Sequence, residues 1–88
     1  MGHSIDNELI EALESYLSAM HEHQLKKTKR IAREHNPNLT DEDLLNPDNF
    51  QYLINDARYT YEDGTAAGIL AAKIAVRSFL LERLVKTK

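Results

Sequence analysis

The stretch GTAAGILAAKIAVRSFLLERLVK, residues 64–86, decides how this chain folds. Its small residues Gly64, Ala66, Ala67, Gly68, Ala71, Ala72 and Ala75 recur at spacings that let a neighbouring helix backbone come close. After Gly68 the large apolar residues Ile69, Leu70, Ile74, Val76, Phe79, Leu80, Leu81, Leu84 and Val85 occupy far more than one helical stripe. A helix that is apolar on most sides needs cover on most sides. A chain of 88 residues with few helices has trouble supplying that cover. Self-association is the simplest source of it. The residues expected to meet a second copy are Gly68, Ala71, Ile74, Ala75, Leu81 and Leu84. Lys73 and Arg77 interrupt the run. A soluble, close-packed helix pair is therefore expected in preference to a membrane dimer, and no apolar run is expected to reach the length of a membrane span.

Just upstream, Asp63-Gly64-Thr65 reads as a break, with Gly64 ending one helix and Thr65 capping the next. The alternative is one continuous helix, at about 1 kcal/mol for glycine relative to alanine. Further back, Asn46 reads as an N-cap with Pro47 at the first helical position, and Leu45 and Phe50 as a hydrophobic staple. Thr40 reads as another N-cap, with Leu39 and Leu44 as its staple. Asn36, before Pro37, is pushed away from helical angles and stops the segment preceding it.

That segment, from about Asp6 to Glu34, has no glycine or proline. Leu9, Ile10, Leu13, Tyr16, Leu17 and Met20, then Leu25 and Ile31, fall on one helical face. Asp6 or Ser4 suits the N-cap, and a helix of this length spans roughly 42 Å. The expected helices are 6–34, 40–45, 47–63 and 65–86 in a single domain, 1–88. The expected fold is all-α, an antiparallel helical hairpin or three-helix bundle that dimerises into a larger helical bundle.

Charge order supports the antiparallel choice. Residues 1–25 hold five acids and no Lys or Arg, and residues 26–33 five bases and no acid. Residues 34–63 hold eight acids and one base, and residues 64–88 five bases and one acid. Folding the C-terminal half back along the first helix sets each block beside its opposite. Each exposed pair is worth under about 1 kcal/mol, yet together they select orientation.

Composition excludes several functions. With no cysteine there is no disulfide, thiolate metal site or cysteine nucleophile. A net charge of −3 makes the whole molecule a poor magnet for nucleic acid. Met1-Gly2-His3 is followed by no apolar signal core, and a cytoplasmic location is expected.

Three clusters carry candidate chemistry. Lys26, Lys27, Lys29, Arg30 and Arg33 form a possible anion-binding segment, 26–33. No glycine or aromatic residue interleaves with these bases, which weakens the case for base stacking. Nearby acids are the expected partners, and nucleic acid is disfavoured. His21 shares a helical face with Glu14, but the Glu-x-x-His spacing of a helical metal site is absent. Asp56, Tyr59, Glu62 and Asp63, with Glu11 and Glu14, are the residue types a metal-dependent helical-bundle nucleotide pyrophosphatase would use. Their spacing is loose, and no basic phosphate clamp accompanies them. Phe50, Tyr52, Tyr59 and Tyr61 suit packing, with a ligand pocket as the alternative. Ser15, Ser18 and Ser78 have no elbow glycines.

The expected function is therefore a small non-enzymatic interaction or regulatory module, a homodimer that needs no cofactor and no membrane. Binding of nucleic acid or an anionic partner through 26–33, and a metal-dependent enzyme, are the alternatives.

Overall fold

The computed structural model describes residues 2–86, and the side chains of residues 7–83. The chain is all-α, with no strand among the described residues. A long helix α1, Gly2–His35, is followed by two 3-10 turns, Asp43–Leu45 and Pro47–Asn49. A single turn α2, Gln51–Ile54, and a second long helix α3, Ala57–Lys86, complete it. Glu14 is level with Arg77, Gln24 with Glu62 and Glu34 with Arg58. Positions rise along α1 as they fall along α3, so the two long helices lie side by side in opposite directions.

The molecule measures 54 × 20 × 18 Å, with a radius of gyration of 17.2 Å. A compact chain of this length has a radius of about 12 Å. Most of its volume therefore lies in two adjacent cylinders and little in a shared interior.

The boundary between helices falls at Asp56 and not at Gly64, which corrects the expected break. Asp56 Oδ1 accepts from the backbone N–H of Arg58 at 2.8 Å and of Tyr59 at 3.3 Å, which closes the first turn of α3. Thr65 Oγ1 donates back to Tyr61 O at 2.9 Å, from within the helix, and Gly64 keeps a negative φ. With a strong cap eight residues upstream, the glycine penalty is not enough to stop α3.

The expected helix 47–63 is divided instead. Asn46 makes no side-chain cap, and Leu45 is exposed and staples nothing. Thr40 does cap: Asp43 N donates to Thr40 Oγ1 at 3.1 Å while Thr40 N donates to Asp43 Oδ2 at 3.0 Å. At the other end α1 begins at Gly2, ahead of the expected Asp6. The side chains of Ser4 and Asp6, proposed as caps, lie outside the described residues.

The core sits where the connection folds back on the two helices. Ile31, Ala32, Leu39, Leu53 and Tyr59 form one buried cluster, with Leu44 and Phe50 against it. Leu53 is fully enclosed. His35 extends the cluster outward, donating from Nε2 to Asp56 Oδ2 at 2.7 Å and lying 5.3 Å from the Tyr52 ring centroid. Leu53→Ala should therefore lower unfolding stability by about 3 kcal/mol, the usual cost of emptying a packed leucine site, read as a shift in the urea midpoint.

Candidate functional site

Burial divides the faces of α1 and α3 finely. On α1 the residues turned to α3 are Ile10, Glu14, Leu17, His21, Gln24, Thr28 and Ile31, all buried or half-buried at alternating steps of four and three. On α3 they are Tyr59, Glu62, Ala66, Ile69, Lys73 and Leu80, at the same period. This seam is rich in polar groups. Gln24 Nε2 donates to Glu62 O at 3.1 Å and to Glu62 Oε1 at 2.8 Å, and Thr28 Oγ1 donates to Gln24 O at 2.9 Å. Among the described residues no buried side-chain polar atom lacks a partner.

Spending the seam on polar residues leaves large apolar ones outside. The single apolar face expected on the first helix is split: Ile10 and Leu17 enter the seam, whereas Leu9, Leu13, Tyr16 and Met20 stay exposed, Leu9 at 59% and Tyr16 at 67%. On α3, Leu70, Ile74, Val76, Phe79 and Leu81 are also exposed. Of the expected interface residues, Gly68, Ala71, Ile74, Ala75 and Leu81 are all uncovered, with Ile74 at 58%. The side chain of Leu84 lies outside the described residues. An added Cβ at Gly64 or Gly68 would meet nothing within 4 Å, so of the small residues Ala66 packs in the seam while these two glycines receive no neighbour from their own chain. The exposed leucines and tyrosine of α1 belong with this surface, although the helical period grouped them on one face with Ile10 and Leu17. Their spacing, 9, 13, 16 and 20, is a heptad offset by one from the seam, but periodicity alone does not say which of two adjacent stripes is buried.

The basic segment is largely engaged by its own chain. Lys27 Nζ lies 3.2 Å from Glu62 Oε2. Lys29 Nζ and Arg33 Nη2 converge on Asp41 Oδ1 at 3.3 and 2.9 Å. Arg33 Nε also donates to Leu39 O at 2.9 Å. Lys26 and Arg30 point to solvent.

The acidic cluster is likewise occupied. Asp56 holds His35, Arg58 and the start of α3, and Glu62 holds Gln24 and Lys27. Hydrogen bonds from His35 and then Arg58 keep the Asp56 carboxyl far below the usual carboxylate range. Those from Arg33 and Lys29 lower Asp41, and those from Gln24 and Lys27 lower Glu62. Arg58 is raised by Glu34 and Asp56, and burial, then Asp63, raises the Tyr59 hydroxyl. Glu14 pairs with Arg77 at 3.0 Å, not with His21. Among the described residues no group of three or more His, Asp or Glu is placed to hold a metal.

One compositional property changes once α3 is seen to run through Gly64. The 27 residues Ala57–Arg83 are long and apolar enough to cross a membrane, by length and composition. This corrects the expectation that no run reaches that length. Little of the stretch is buried.

Comparison with family models, curated proteins and solved structures finds no match for this chain.

The three lowered carboxylates give a pH dependence of fixed sign. Each binds its proton more weakly folded than unfolded, so each stabilises above about pH 4, the unfolded value, and that contribution is lost as pH falls. The melting temperature should hold level between pH 5 and pH 7 (roughly the range where these groups stay ionised) and drop below about pH 4. Asp56→Asn retains a capping oxygen but removes the charge, so its melting temperature should drop less steeply in acid than that of the wild type.

Proposed function

We propose that this chain is a small non-enzymatic interaction module, an antiparallel helical hairpin that works by packing against a second copy of itself to make a larger helical bundle. The observation that carries the reading is the uncovered apolar surface of the helix pair, with Leu9, Tyr16 and Phe79 exposed around an open Gly68, and Ile74 and Leu81 exposed on the other side of α3. Monomeric soluble proteins rarely leave so much contiguous apolar surface in water. Proteins that associate by symmetry cover it with themselves. The polar groups are committed to fastening the hairpin, which suits a structural role better than a catalytic one. A cytoplasmic setting is part of this proposal, and a cysteine-free chain is compatible with a reducing compartment. Sedimentation equilibrium of the wild type should give the mass of two chains, dissociating on dilution. The mass of one chain at every workable concentration would reject the proposal.

A second reading follows from the length and apolarity of Ala57–Arg83: α3 lodges in a lipid bilayer. Lys73 in the seam and Arg77 paired with Glu14 weigh against it, since charges at bilayer depth are costly. Binding of an anionic polymer through 26–33 keeps only Lys26 and Arg30 as free cations among the described residues of that segment. It predicts retention on heparin that fades steeply between about 50 and 200 mM salt and is abolished by Lys26→Glu with Arg30→Glu. No retention at the lower salt would discard it.

A further inference from the structure

Two opposite sides of the helix pair flank the seam, and they differ in character. The side reached by stepping one residue forward from the seam carries Ser15, Ser18 and Glu22 on α1, and on α3 Arg77 among the exposed Leu70, Ile74 and Leu81. Ser15, Ser18, Glu22 and Arg77 line one shared groove of about 480 Å3, together with Glu14, Ala19 and Lys73. Because the helices run in opposite directions, the same step along each sequence turns both stripes to the same side. Stepping one residue back from the seam therefore defines the other side. On α1 it carries Leu9, Leu13, Tyr16 and Met20; on α3 it carries Gly68, Ala72, Ala75 and Phe79. These eight residues hold no charge and all are exposed.

The two halves of this face have complementary shapes. The register puts Tyr16 level with Ile74 and Met20 level with Leu70, so the α1 residues stand as a ridge beside a trough of Gly68, Ala72 and Ala75. The trough is empty at Gly68, where even a Cβ would find no neighbour. A two-fold axis running parallel to the helices places the ridge of each copy over the trough of the other, at the same level. The large residues alone offer about 600 Å2, taking side chains of about 150–250 Å2 at their observed exposures. With the small residues the face approaches the ~800 Å2 per partner of a stable interface. Toward the connection the same side carries His23, Lys27, Arg30 and Arg58 around Tyr61, which concentrates apolar contact in the far half.

We propose that the occupant of this face is a second copy of the chain, with the Leu9, Leu13, Tyr16, Met20 ridge of each hairpin seated in the Gly68, Ala72, Ala75 trough of the other. This deepens the self-association reading and rests on it. It assigns the contact to one side of α3 and relieves Ile74 and Leu81, on the opposite side, of a role in it.

The test is sedimentation equilibrium on the full chain, with helicity followed by circular dichroism. Tyr16→Glu and Ala72→Glu should each weaken dimerisation at least about 30-fold, the scale of an interface hot spot, while Ile74→Glu and Leu81→Asp leave it near wild type. Since the chain has no cysteine, a second measurement stands independent of folding losses. Mixing Tyr16→Cys and Ala72→Cys chains under oxidation should yield a mixed cross-linked pair in excess of either self-pair. If the dimer survives Tyr16→Glu and Ala72→Glu but is lost in Ile74→Glu, or if the mixed pair does not exceed the self-pairs, this assignment is overturned and self-association stands. A wild type that is a single chain at all concentrations overturns both. Flotation of the wild type with phosphatidylcholine vesicles, abolished by Tyr16→Glu, gives the face to lipid and also overturns the second copy.

Discussion

Two cylinders lying side by side each cover only one stripe of the other. That limit governs this molecule. A three- or four-layer arrangement would give each long helix several neighbours, but here α1 and α3 have each other and, at one end, a short connection. The apolar content of residues 64–86 exceeds what one stripe can hide, so part of it faces outward whatever the rotation of α3. The chain then commits its single protected stripe to polar residues. Gln24, Thr28 and Glu62 satisfy one another there, which fixes the level at which the helices meet. An all-apolar seam would bury more surface but tolerate slippage by a heptad, because apolar contact is indifferent to register.

Charge does the orienting at longer range. Glu14 with Arg77, Glu62 with Lys27 and Glu34 with Arg58 are spread along the pair, each joining α1 to α3. The connection is fastened by Asp41 under Lys29 and Arg33, and by Asp56 between His35 and Arg58. Individually these exposed pairs are weak. Their joint effect is to use up charges that would otherwise advertise a binding site. This is why the basic run 26–33 and the acidic run before Gly64, conspicuous in sequence, become mutual partners in the folded chain.

The helical class was legible from composition and from the period and breadth of the apolar pattern. Three features were not. The start of α3 was misplaced because a glycine is a conspicuous punctuation mark, whereas Asp56 looks like any other aspartate until its oxygen is seen receiving two backbone N–H groups. Leu9, Leu13, Tyr16 and Met20 were grouped with Ile10 and Leu17 on one face because the helical period identifies a set of adjacent stripes, and only the partner selects among them. Gln24 and Thr28 passed unnoticed as seam residues for the complementary reason: polar types carry no periodicity signal even when a helix buries them.

The apolar cluster is confined to the closed end, around Leu53, while the far half of the pair is held by the thinner contacts of Ile10, Leu17, Ile69 and Leu80. Resistance to opening is thus graded along the 54 Å axis, as in a clothes peg whose spring sits at one extremity. Amide protons near Ile31 and Tyr59 should be the last to yield to deuterium, and those level with Leu13 and Val76 among the first. The jaws are the part of the molecule that a neighbour can most cheaply spread, clasp or rigidify.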